Sequence, residues 1–300
     1  MESSSEILNK LGPERVKVGE SMRLHTYMRV GGPAEFYFEA QNSAELEKAV
    51  QAALELQIPY VVIGQGANVL VSDKGIKGLV IKNSSKEIKF LPHDFVEVDS
   101  GVNIIDLGRE IAKRGLGGLE RMTRVPASVG GAVFMNAGDT GKNEFFGDLV
   151  VAITAIDKQG KTKKIFKEEA DFTYRTSRFQ NSGEIILSVK LQLPKRSQAQ
   201  VDEKIADILQ RKQKHPAGPS VGSTFRNPEG AHAGDLIEKA LLKGTSVGGA
   251  KISEQHANFI INTGSARAAD IKQLIDLMKS QVKEKFDVNL VEEVRYLGEW

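Results

Sequence analysis

There is no cysteine among the 300 residues, so disulfides, thiolate metal sites and a cysteine nucleophile are excluded. Charge of one sign is also lacking. Lys and Arg number 41 against 39 Asp and Glu, a formal net charge of +2. So even a balance argues against nucleic acid or an anionic membrane as the main partner, while leaving room for a local basic pocket that takes a small anion. Long apolar runs are missing too. "YVVIG" and "NFIIN" fall far short of the roughly 18 residues of a membrane helix. The opening "MESSSEILNKLG" has neither the basic start nor the apolar run of a signal peptide. A soluble, cytoplasmic protein is expected. Histidines occur only at 25, 93, 215, 232 and 256, with no pair at metal-ligand spacing, so no metal site is expected.

What is present suffices for about two domains, with 40% apolar residues for their cores. In "NSAELEKAVQAALELQIPYVVIG" the apolar residues Leu46, Ala49, Val50, Ala53 and Leu54 recur at helical spacing. Asn42 or Ser43 is placed to cap that helix, with Glu45 completing a capping box from Asn42. "YVVI", "GLVIKN" and "FVEVDSG" read as strands, "NIIDLGREIAKRG" as a helix, and residues 151–166 as a hairpin turning at Lys158 to Gly160. "EIILSVKLQL" is a further strand that ends at Pro194. Beyond the polar "PKRSQAQ", three helical stretches follow at 201–213, 233–244 and 266–286, then a closing strand in "VNLVEEVRYLG". The expected division is a larger domain over 1–197 and a smaller α+β domain over 198–300, its last strand returning toward the active site.

Glycine is concentrated in loops. Gly64 and Gly66 follow a strand in "VIGQGANVL"; Gly130, Gly131 and Gly138 punctuate "PASVGGAVFMNAG"; Gly31 and Gly32 lie beside Arg29 in "TYMRVGGPAEF". Glycines after strands let backbone N–H groups approach an anion such as a pyrophosphate. Neither the G-x-G-x-x-G nor the P-loop pattern occurs, so glycine alone names no nucleotide. "VGSTFRNP" places Ser223 where a nucleophile would be suspected, yet no signal puts a His–Asp pair behind it.

Taken in order, these stretches resemble the UDP-N-acetylenolpyruvoylglucosamine reductase family. "TYMRVGGPAEF", "GQGANVLVSD", "VPASVGGAVFMNAG", "YRTSRF", "GSTFRNP", "AGDLIEKALLKG", "VGGAKISEQHANFIINTG" and "EEVRYLG" span nearly the whole chain. With no long insertion before "GSTFRNP", the chain looks like the shorter of the family's two subtypes. The resemblance implies an α+β fold: an FAD-binding domain of the p-cresol methylhydroxylase type followed by a smaller substrate-binding domain. It implies a reaction in which NADPH reduces non-covalent FAD and the flavin passes hydride to the enolpyruvyl ether of a UDP-sugar, giving UDP-N-acetylmuramate. That step belongs to peptidoglycan precursor synthesis, hence to cell-wall biogenesis, cell shape, division and the cell cycle. No nucleic acid and no protein partner is implied.

By the same resemblance, Arg175, Ser223 and Glu293 are catalytic: Arg175 stabilises the carboxylate of the intermediate, Ser223 donates a proton, and Glu293 assists the charge redistribution. For that role the Glu293 pKa should be raised by burial. FAD would be held by Arg29, Gly64, Gln65, Gly66, Ala67, Asn68, Val125, Ser128, Gly130 and Gly131. The sugar nucleotide would be contacted by Asn136, Tyr174, Lys214 and Asn227. Three positions depart from the family. Ala67 replaces a serine hydroxyl, and Arg124 and Ala127 replace glycines in "RVPASVGG". If either of the latter needs φ > 0, about 1–2 kcal/mol of strain is expected. The altered loops favour a competing class, a silent FAD- or UDP-sugar-binding paralogue serving as sensor or scaffold. A related flavin oxidoreductase acting on another substrate would not be expected to keep "GSTFRNP" and "EEVRYLG" together.

Overall fold

The computed structural model describes residues 2–213 and 215–300. The predicted helix forms over Ser43–Glu55 with Asn42 as its cap. Asn42 Oδ1 accepts from the Glu45 N–H at 2.9 Å. The Glu45 carboxylate reaches back to the N–H of Gln41 at 3.0 Å, one residue earlier than a capping box requires. Leu46, Ala49, Val50 and Ala53 are fully buried, so the apolar stripe faces a core as its spacing predicts.

The chain divides into two compact units. The first comprises residues 1–18, 36–65 and 78–211, the second residues 19–35, 66–77 and 212–300. In the first, an antiparallel five-stranded sheet runs in the order Thr162–Phe166, Val150–Ile156, Ile185–Gln192, Phe95–Asp99, Ile88–Leu91. A four-stranded sheet, most of it in this unit, orders Val16–Ser21, Pro33–Ala40, Ile76–Asn83 and Tyr60–Ile63. The last two strands pair in parallel, joined by the turn that carries "GQGAN" and the short strand after it. One core fills the side of the five-stranded sheet under the helices Ile104–Ala112 and Val129–Met135. Another lies beneath the helix Ser43–Glu55.

The second unit has one core, built on the buried stripe Ile271, Leu274, Ile275, Met278 and Val282 of the helix Ala268–Phe286. A three-stranded antiparallel sheet, Ser246–Val247, Ala250–Ile252 and Ile260–Asn262, packs there. The closing strand is shorter than predicted, only Arg295–Leu297, and pairs in parallel with Val69–Val71. Two N-terminal pieces thus belong to this unit. Asp73 accepts from the N–H groups of Ala268 and Ala269, each at 2.9 Å, at the start of the long helix. Asn262 Nδ2 donates to the Met28 carbonyl at 2.9 Å.

A single boundary at residue 197 does not describe this division. The polar "PKRSQAQ", whose composition would also suit a linker, is tied to the first unit. Arg196 donates to the Gly115 carbonyl through its N–H and to buried Glu120 through its guanidinium. The helix Gln198–Arg211 that follows buries Val201 and Ile208 and ends with Arg211 on Asp139 at 2.9 Å, inside the first unit. A polar surface turn and a linker have the same composition, and only these bonds distinguish them.

Candidate functional site

In the first unit, Tyr174 and Arg175 are the two central residues of a tight turn. Thr173 and Thr176 exchange backbone hydrogen bonds of 3.1 and 3.2 Å across it. Such a turn needs left-handed backbone, and Arg175 takes it at φ +55°. The Arg175 carbonyl accepts from Gln180 Nε2 at 2.9 Å, and its guanidinium lies 5.7 Å from the Tyr174 ring centre. Asn136 braces the turn. It ends the helix Val129–Met135 in left-handed conformation, φ +41°. Its amide donates to the Thr173 carbonyl at 2.8 Å and accepts from the Gly147 N–H at 3.0 Å. An open groove of about 440 Å³ beside it is lined by Asn136, Phe145, Lys167, Phe172 and Tyr174. Asn136, Tyr174 and Arg175, expected to touch substrate, are therefore brought together.

The glycine loops of this unit also converge. Ser128 caps the helix Val129–Met135, its hydroxyl accepting from the Gly131 N–H at 3.2 Å. Gly64 abuts it so closely that a Cβ there would lie 2.0 Å from Ser128 Oγ. A Cβ at Gly130 would come within 2.9 Å of the Ser100 side chain. Val125 is held by its N–H on the Met122 carbonyl. Arg124 and Ala127 are absent from the residues with positive φ, so the side chains that replace family glycines cost no backbone strain. Lys82, which no motif singles out, donates its ammonium to the Gly64 carbonyl. Burial holds that ammonium below the usual lysine range, with Glu39 opposing the shift. An isolated lysine in a strand carries no pattern by which it could be picked out.

In the second unit Ser223 follows Gly222, which is at φ +75°. Buried Thr224 comes next, and its carbonyl accepts from the Glu293 N–H at 2.8 Å. Phe225 and Glu292 form an antiparallel bridge. Asn68 Nδ2 donates to the Glu293 carbonyl at 3.0 Å, and the Asn68 carbonyl accepts from the Arg295 N–H at 3.0 Å. Ser223, Glu293 and Asn68 are therefore joined through backbone. Glu293 precedes the strand rather than lying within it, because the 291–293 segment pairs with 224–226 before 295–297 turns to pair with 69–71. Gly66 has φ +65°, and a Cβ there would lie 2.2 Å from the His25 carbonyl. Ala67 lies between it and Asn68, and Gln65 closes the preceding segment of the first unit. Arg29 is at φ +56°. Asn227 Oδ1 accepts from the Ala233 N–H at 3.1 Å. Lys214 lies outside the described residues.

These loops suit FAD. Glycines stand where a side chain would collide, which lets the loops pack closely, with the Gly130 and Gly131 N–H groups donating to Ser100 and Ser128, and Lys82 adds a cation at Gly64. Three expected site residues, Arg29, Asn136 and Arg175, hold left-handed backbone without being glycine. No group of side chains suited to a metal ion occurs among the described residues.

Residues 34–165 match the FAD binding domain family. With the folds described above, that match defines a flavoprotein: an FAD-binding domain followed by a smaller α+β domain. Residues 210–297 match the family of the UDP-N-acetylenolpyruvoylglucosamine reductase C-terminal domain. The chain is 38% identical over 301 residues to the UDP-N-acetylenolpyruvoylglucosamine reductase of Lachnoclostridium phytofermentans, covering 98% of this chain and 96% of that one. It is 42% identical to the reductase of Chlamydia muridarum, over 93% and 94% of the two chains. The crystal structure of the Thermus caldophilus reductase superposes with a TM-score of 0.81 at 33% identity, over 94% of this chain and 99% of that one. The chain belongs to the UDP-N-acetylenolpyruvoylglucosamine reductase family.

Proposed function

We propose that this chain reduces the enolpyruvyl ether of UDP-N-acetylglucosamine to UDP-N-acetylmuramate, with Arg175, Ser223 and Glu293 as its catalytic residues. The observation that carries the reading is the Thr224–Glu293 backbone bond, which joins a hydroxyl proton donor and a carboxyl group through one short bridge. When bound, FAD would supply the hydride, drawn from NADPH, that the methylene carbon of the enolpyruvyl group receives. Negative charge then builds on the adjacent carbon and its carboxylate. Arg175 meets that charge with a planar guanidinium suited to bidentate carboxylate binding, and its turn is braced by Asn136 and Gln180. Ser223 delivers the proton that completes the lactyl ether. A serine hydroxyl is a weak acid, and it serves here because the carbanionic centre is strongly basic. No partner base is required, which accounts for the missing His–Asp pair. Glu293 assists as a hydrogen-bonding neighbour of the developing charge.

The cofactor falls to Gly64, Gln65, Val125, Ser128, Gly130 and Gly131 of the first unit and to Arg29, Gly66, Ala67 and Asn68 of the second. Tyr174, Lys214 and Asn227 contact the sugar nucleotide. The setting is the cytoplasm, where the product feeds the cell wall and so shape and division. No helix among the described residues is long and apolar enough to cross a membrane.

An anaerobic absorbance experiment tests the reading. The flavin band should bleach with NADPH and return only when the UDP-enolpyruvyl sugar is added. A protein that neither carries nor takes up FAD would move the silent-paralogue reading to the front.

A further inference from the structure

The segment that follows Ser223 has a strand-like partner on one edge only. There the Glu293 N–H donates to the Thr224 carbonyl at 2.8 Å and the Arg226 N–H to the Val291 carbonyl at 2.9 Å. On the opposite edge a single residue, Asn258, takes the place of a strand. Its carbonyl accepts from the Thr224 N–H at 2.8 Å. Its side-chain Oδ1 accepts from the Phe225 N–H at 3.0 Å, and its Nδ2 donates to the Phe225 carbonyl at 2.8 Å. The amide thus presents the donor and acceptor of a peptide group, side by side, to the residue two places after Ser223.

We infer that Asn258 is a positioning residue for the proton transfer: its amide fixes the backbone from which Ser223 projects, and through Thr224 the register of Glu293. Only an amide does both jobs. A carboxylate cannot donate and a hydroxyl is too short to span both groups of Phe225. The residue is 2% exposed, so water does not substitute for it. Thr224, fully buried, makes no hydrogen bond through Oγ1, so that side chain gives the segment no alternative polar anchor. Asn258 is itself oriented from behind, its N–H donating to His256 Nδ1 at 3.2 Å, while Phe259 donates to the His256 carbonyl at 3.0 Å. A loss of registration by about 1 Å can slow a reaction on the order of 10²-fold, and this clamp is the element that sets registration here.

The inference rests on Ser223 as proton donor, and the experiment separates the two. Asn258→Ala, and Asn258→Ser as the milder variant, are compared with Ser223→Ala by anaerobic stopped flow, following flavin reduction by NADPH and reoxidation by the UDP-enolpyruvyl sugar. For both Asn258 variants, reduction should stay within about twofold of the parent, while reoxidation at saturating sugar slows on the order of 10²-fold with KM unchanged. The double variant Ser223→Ala with Asn258→Ala should be no slower than Ser223→Ala alone, because residues acting through one another are not additive. Equal slowing of both half-reactions would assign Asn258 a purely structural role and overturn the inference. So would unchanged reoxidation, or multiplied losses in the double variant. If Ser223→Ala itself failed to slow reoxidation selectively, the proton-donor reading would fall and take this inference with it. If only the Asn258 variants failed, the proton-donor reading would stand.

Discussion

Arg175 occupies a backbone conformation, φ +55°, that costs a residue with a Cβ about 1–2 kcal/mol. Glycine would sit there without strain, so the side chain must matter more than the strain. Arg175→Lys keeps a charge but loses the planar fork. It should slow reoxidation by the enolpyruvyl sugar by roughly 10²- to 10³-fold, the loss typical of one such donor, and leave reduction by NADPH nearly unchanged; stopped flow reads both. Ser223→Ala should show the same asymmetry, with roughly 10²- to 10⁴-fold loss in reoxidation for a general acid. His256 gives a residue-scale prediction about stability. Burial holds its imidazole below the ordinary value of 6.5, with Lys243 adding to the shift and Asp235 and Glu238 opposing it. Between the folded and unfolded pKa values the unfolded chain binds more protons, so stability falls as pH drops through and below 6.5 and is complete above it. In His256→Asn, unfolding midpoints measured between pH 8 and 5 should decline less steeply toward acid, even if their ceiling is lower.

The helix Ala268–Phe286 shows how an element depends on a residue far away in sequence. Its first N–H groups have no intrahelical partner, and two of them donate to Asp73, nearly two hundred residues earlier. Asp73→Ala should cost about 0.5–2 kcal/mol, the range for a lost cap, as a lower urea midpoint at unchanged slope. Nothing local announces this bond. What was legible in the sequence was the periodic part: the stripe from Ile271 to Val282, the helix after Asn42, the hairpin about Lys158–Gly160. Each is written in neighbours a few residues apart. The closing strand was read too long, since residues 291–293 and 295–297 extend alike but pair with different segments. The glycines at 64, 130 and 131 were legible as loops, whereas the contact of Gly64 with Ser128 was not, because it joins residues 64 apart through packing. The contacts of Lys82 and Asn258 were not legible for the same reason, although Asn258 lies within a quoted motif: each acts through backbone atoms of a distant segment. The family motifs named Arg175, Ser223 and Glu293 without indicating what holds them.

At the scale of the whole molecule, the cofactor couples to stability by mass action. FAD that binds the folded chain and not the unfolded one adds about 4 kcal/mol at a thousandfold excess over its dissociation constant. Two compact units and a cofactor make a single unfolding transition unsafe to assume, so the useful observable is which transition FAD moves. If the loop at Gly64 carries the cofactor, the transition of the first unit should rise with FAD. Gly64→Ala separates cofactor from scaffold. Its added Cβ would lie 2.0 Å from Ser128 Oγ, so Ser128 or the loop must shift, an overpacking cost of about 1–3 kcal/mol without any ligand. The displaced Ser128 would also loosen its hold on Gly131. The expected result is a modest fall in the flavin-free transition and a loss of most of the FAD-dependent rise, read by calorimetry with and without FAD. A variant that gained as much from FAD as the parent would move the cofactor away from this loop and leave Gly64 as a packing glycine alone.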